Sequence, residues 1–223
     1  MAERPMSSVA PAPRASAIEF NRVLRNTYLL LGLTLGFSAL VAGVSMTLNL
    51  PHPGPIVWLV GFFALLFVVH KTANSSWGLL SVFAFTGFLG YGLGPILNMY
   101  LSLPNGGSIV ASAFGTTAIA FIGLSAYALI TRKDFSFLSG FLVVGFFVLM
   151  GAVLLGLFFD LSAFSTAISA GFVLFAAAGI LWQTSAIIHG GETNYILATV
   201  TLYVQIYNLL LSLLHIFGVM GDD

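Results

Sequence analysis

Ionisable residues are nearly absent from the long apolar stretches of this chain: Lys71, Arg132, Lys133, Asp134, Asp160 and Glu192 all fall at the breaks between them. A charge inside hydrocarbon is costly, so charges at segment ends read as loop or snorkelling groups. Polar side chains at depth say more. Gln183 and Thr184 lie near the end of the sixth apolar stretch, and Gln205, Tyr207 and Asn208 near the middle of the seventh. Gln205 and Asn208 are three residues apart and share a helix face. Amides on one face can bond helices together or line a water-filled path. The breaks offer a different chemistry: Arg132, Lys133, Asp134, His189 and Glu192 are candidate contacts for a partner protein in water.

Enzymatic chemistry finds little to work with. The chain has no cysteine, which removes disulfides and thiolate metal sites. No HExxH zinc motif occurs. The stretch Gly123-Leu124-Ser125-Ala126 matches an intramembrane serine-protease motif only loosely, and His215 is the one histidine deep enough to serve as its base. The seventh stretch has no lysine for a retinal Schiff base. The expectation is a protein that is not an enzyme, with no catalytic residue, cofactor or metal.

Those residues must be carried by membrane-spanning helices. Of 223 residues, 59% are hydrophobic and 6% are charged, against about 25% charged in a soluble domain. Such a chain cannot clothe itself in polar surface. Net charge is zero, so nothing draws it to nucleic acid in general. Seven apolar segments, at 27–50, 54–70, 77–100, 108–131, 135–159, 162–188 and 195–219, are each long enough to cross a bilayer. Turn-forming residues separate them, among them Pro51-His52-Pro53, Asn74-Ser75-Ser76 and Pro104-Asn105-Gly106-Gly107. The expected fold is an all-α membrane protein of seven transmembrane helices over 25–223.

Residues 1–24 are a different material, rich in Ala, Pro and Ser, and read as a disordered tail with an amphipathic turn near 18–24. Prolines and Glu3 interrupt any apolar run there, so it does not read as a signal peptide. The seven basic residues lie in or just past this tail (Arg4, Arg14, Arg22, Arg25), in the second break (Lys71) and in the fourth (Arg132, Lys133). If every segment spans, all seven fall on one side, which the positive-inside rule makes the cytoplasm. The C-terminus is then expected on the far side.

Small residues let helices approach closely in lipid. Gly32 with Gly36, Gly90 with Gly94, and Ala176-Ala177-Ala178-Gly179 supply them. Packing within one bundle is the expectation for these pairs. Pro95 lies inside the third span and is expected to kink it.

Several runs carry a family resemblance. Lys71-Thr72-Ala73-Asn74 and Phe83-Ala84-Phe85-Thr86-Gly87-Phe88-Leu89-Gly90-Tyr91-Gly92-Leu93-Gly94-Pro95-Ile96-Leu97-Asn98 resemble the Bax inhibitor (TMBIM) family. The runs at 23–28, 131–138 and 188–196 resemble its bacterial branch, and the match covers about 21–218. The resemblance implies a seventh helix at the centre of the bundle and residence in the bacterial inner membrane. It also implies partnership with the FtsH protease and its regulators HflK and HflC, as a brake on the protease and a slow substrate of it. Calcium-leaking members of the family use two buried aspartates as a pH sensor. Here Gln183 and Gln205 stand at the matching positions. Two carboxylates can share a proton and titrate near neutrality, whereas two amides cannot titrate. A cation or proton leak is therefore the alternative expectation, with the family's acidic sensor replaced.

Overall fold

The computed structural model describes residues 14–221 as backbone, with side chains described from residue 21. Seven long helices follow one another: α1 Arg14–Thr47, α2 Pro55–Thr72, α3 Trp77–Leu101, α4 Gly106–Thr131, α5 Leu138–Gly156, α6 Ser165–Ile188 and α7 Tyr195–Met220. All seven are long and apolar enough to cross a membrane. A short 3-10 turn, Ser162–Phe164, leads into α6.

Several boundaries differ from the sequence reading: α1 ends at Thr47 rather than 50 and α5 at Gly156 rather than 159, and the starts of both differ as well. Residues 14–24 belong to α1 rather than to a tail. Residues 1–13, the rest of the expected tail, lie outside the described residues. The fifth span begins at Leu138 rather than at 135, because local bonds bend the chain first. Asp134 Oδ1 accepts from Ser136 N at 2.8 Å, and Phe135 N donates to Ser185 Oγ at 3.0 Å. α3 runs unbroken through Pro95.

α7 is the buried axis. Of its spanning window, 72% is buried inside the protein, against 6% for α2 and none for α5. It packs on α6, α4, α1 and α3. α2 instead packs on α3, reaching α7 through Trp58, whose ring stacks 6.4 Å from that of Tyr207. α5 packs on α6. The family expectation that six helices surround the seventh thus holds for four of them, with α2 and α5 as outriggers.

Close approach is bought by small residues, as lipid requires. A Cβ on Gly90 would lie 2.5 Å from the carbonyl oxygen of Ser38, and one on Gly94 would lie 2.5 Å from Cβ of Ser45. Gly90 and Gly94 therefore seat α3 on the Ser38–Ala42–Ser45 face of α1. Gly32 and Gly36, the other spaced pair, meet nothing within 4 Å and face outward.

Candidate functional site

The two ends of the bundle differ in charge. Thr199 Oγ1 donates to Thr27 O, tying the start of α7 to α1 beside Arg25. Asn194 Nδ2 donates to Ala73 O at 3.1 Å and to Asn74 Oδ1 at 2.8 Å, tying α7 to the α2–α3 loop beside Lys71. Ser185 Oγ accepts from Phe135 N and donates to Lys133 O, tying the end of α6 to the α4–α5 loop. Arg22, Arg25, Lys71, Arg132 and Lys133 thus share one end. Among the described residues, Asp160 is the one charged side chain at the other.

The cationic end is a built surface. Asn194 also caps α7, its Oδ1 accepting from Ile196 N and Leu197 N at 2.9 and 3.2 Å. Glu192 Oε1 accepts from Asn194 N at 2.8 Å. His189 bonds back to Ser185 through Nδ1. Arg132 closes α4 in the left-handed conformation, at φ 49°, which leaves its side chain exposed. Lys133 lies over the Tyr127 ring, 5.9 Å from its centroid. The Asp134 carboxyl is held below the usual carboxylate range, chiefly by the backbone N–H of Ser136, then by its hydroxyl, with a smaller contribution from His189. The five residues expected to meet a partner are therefore neighbours on loops that the rest of the fold fixes.

Inside the bundle, Gln183 and Gln205 are both buried, 2% and 8% exposed. The amide of Gln205 lies against Gly179, where a Cβ would come within 2.6 Å of its Cδ. Gln183 is one turn further along the same face of α6. Gln183 Nε2, a donor, and Gln205 Oε1, an acceptor, have no hydrogen-bond partner. Two uncharged amides thus occupy this depth of the α6–α7 seam, with no carboxylate beside them among the described residues. Thr184 meets Tyr28 across the seam to α1 at 3.5 Å. Tyr207 donates to Leu89 O at 3.3 Å, pinning α7 to α3.

Asn208 continues a line that sequence reading left short. Gln205, Asn208, Ser212 and His215 recur every three or four residues along α7, and all line one cavity bounded by α2, α5 and α6. His215 Nδ1 meets Ser169 Oγ at 3.1 Å. Ser125, the serine of the loose protease-like stretch, lies in the last turns of α4 at the cationic end, away from His215. A second polar contact had no sequence signal: Ser38 Oγ and Tyr203 OH lie 2.5 Å apart, joining α1 to α7.

Comparison with known proteins agrees with this architecture. The chain is 65% identical over 205 residues to an uncharacterized protein of Pseudomonas aeruginosa, covering 92% of each. It is 53% identical over 210 residues to the Escherichia coli protein named Modulator of FtsH protease YccA, covering 94% of this chain and 95% of that one. It is 44% identical to an uncharacterized membrane protein of Vibrio cholerae over 92% of its length. Residues 20–222 match the family described as Inhibitor of apoptosis-promoting Bax1. Seven helices, with α7 as the buried axis and three loops gathered at one end, are thus the form taken here by a member of the Bax inhibitor family, to which this chain belongs.

Proposed function

We propose that this protein is a multi-pass inner-membrane protein that binds and restrains an FtsH-type membrane protease, in company with HflK- and HflC-type partners. The observation that carries the reading is 53% identity, over almost the whole of both chains, to a protein named as a modulator of that protease. The geometry supports it in two ways. The cationic end, assigned to the cytoplasm by the positive-inside rule, offers a prebuilt surface from the α2–α3, α4–α5 and α6–α7 loops. The C-terminus then lies in the periplasm. The Ala/Pro/Ser-rich segment 1–24 is the handle by which the protease takes hold, its last eleven residues being the first turns of α1, which runs on into the bundle.

A handle fixed to a tightly packed bundle makes a slow substrate. Pulling on α1 must separate it from α3 and α7, where Gly90 and Gly94 allow backbone contact. The protease is occupied while extraction is slow. Deleting residues 2–20 removes the first turns of α1 but leaves the apolar segment from residue 27 intact. The shortened protein is expected to persist longer in cells and to restrain the protease less. Unchanged lifetime together with unchanged proteolysis of other substrates would remove the handle from the mechanism.

A further inference from the structure

The cavity between α2, α5, α6 and α7 is about 460 Å³, within the size range of small-molecule sites. Its walls mix aliphatic side chains with six aromatics: Trp58, Phe62 and Phe63 from α2, Phe146 from α5, Phe172 and Phe175 from α6. Phe63 and Phe146 are also exposed on the lipid-facing surface, so the cavity opens sideways towards the bilayer. Its floor is the polar line of α7. Ser212 Oγ donates to Asn208 O at 2.7 Å, while the side-chain amide of half-buried Asn208 is claimed by no described residue. Gln205 lines the inner end, nine-tenths buried, with Oε1 unpartnered. At the other end, His215 and Ser169 are shared with a second space of about 440 Å³ that holds Asp160, Ser162 and Ser165 and leads to water.

The chemistry of this lining selects among ligands. An Asn amide both donates and accepts, as a hydroxyl does. Aromatic walls favour a flat apolar ring. No lysine or arginine lines either space, so an anion meets no permanent countercharge. The carboxylate at the mouth, Asp160, repels anions further. No carboxylate lies at depth to hold a cation.

We propose that this cavity binds an uncharged amphiphile whose head is a hydroxyl-bearing ring, admitted from the bilayer between α2 and α5, with the hydroxyl on Asn208 and the tail in lipid. The site is independent of the protease partnership.

The test uses the full chain in detergent or lipid discs and an alkylphenol carrying a photoreactive diazirine on its tail. Crosslinked peptides are mapped while para-octylphenol, octylbenzene and para-octylbenzoate compete. Labelling is expected on the cavity-lining parts of α2 and α5, between which the tail passes. The phenol should compete about fivefold better than octylbenzene, the yield of one net hydrogen bond, and the benzoate should compete worst. Asn208→Leu should erase the advantage of the phenol. Labelling spread over the lipid-facing surface, equal competition by phenol and alkylbenzene, or benzoate matching phenol would each overturn the proposal. These comparisons are made on the unmodified protein, so they stand even if the variant fails to fold.

Discussion

Gln205 on α7 lies so close to Gly179 on α6 that a methyl group on the glycine would fall 2.6 Å from Cδ of the amide. Helix packing here is set by the absence of one carbon atom. Gly179→Ala must push the helices apart or turn the Gln205 side chain from its place. Overpacking of this kind costs about 1–3 kcal/mol. The double variant Gly179→Ala/Gln205→Ala should recover most of that loss, because contacting residues couple. Thermal unfolding in detergent of the two single variants and the double variant measures the coupling; additive losses would mean that the contact does not limit the approach.

The two spaced glycine pairs should behave oppositely. Gly90→Ala places a Cβ 2.5 Å from a backbone oxygen of α1, and backbone cannot swing aside. A loss of about 1–3 kcal/mol is expected. Gly36→Ala meets nothing within 4 Å and replaces the poorest helix former but proline with the best, so it should be neutral or stabilising by up to about 1 kcal/mol. Unfolding of both variants under one set of conditions decides it. A destabilising Gly36→Ala would mean that the outer face of α1 is packed by something else.

Asn194→Ala removes the cap of α7 and both bonds to the α2–α3 loop. Loss of a cap alone costs about 1 kcal/mol. The variant should also expose the 189–194 loop, read as faster proteolytic nicking there, and weaken capture of the proposed protease partner. Asn194→Asp keeps the cap but loses the amide donor, so it should restore helix stability and leave the loops apart. If it restores capture as well, loop alignment is not what the partner reads.

How much of this was legible in the sequence varies with the physics behind each feature. The seven spans and the clustering of charge were, because lipid imposes them on composition along the chain. The burial of α7 followed from the family resemblance and not from composition: its mean hydropathy is close to that of α2, yet one is the axis and the other an outrigger. What distinguishes α7 is its polar spacing, Gln205, Asn208, Ser212 and His215, of which only the first pair was read. The links from Asn194 to Asn74 and from Ser38 to Tyr203 join residues far apart in sequence, and nothing local announces them. The same holds for Gly90 against Gly36, equal in spacing and opposite in environment.

The pH response of the chain follows from its carboxylates and from where they are missing. Asp134 and Asp160 are exposed, and the backbone N–H of Ser136 and of Ser162, each aided by the serine hydroxyl, holds their acidity below the usual carboxylate range. A depressed folded value contributes stability that is present above the unfolded value and lost as pH falls through the folded one. Loop stability should therefore be flat through neutrality and decline only in acid. Replacing the buried amides should reverse the sign. In Gln183→Asp/Gln205→Asp a carboxylate would sit buried with no described partner, and burying the charged form costs more than burying the protonated acid. The double variant should thus be more stable in mild acid than at neutral pH. In liposomes loaded with a calcium dye, the unmodified protein should show no pH-gated flux, since its amides neither titrate nor carry charge, whereas the double variant should acquire pH dependence. Calcium flux through the unmodified protein that switches with pH would place the sensor elsewhere and favour the leak over the protease brake.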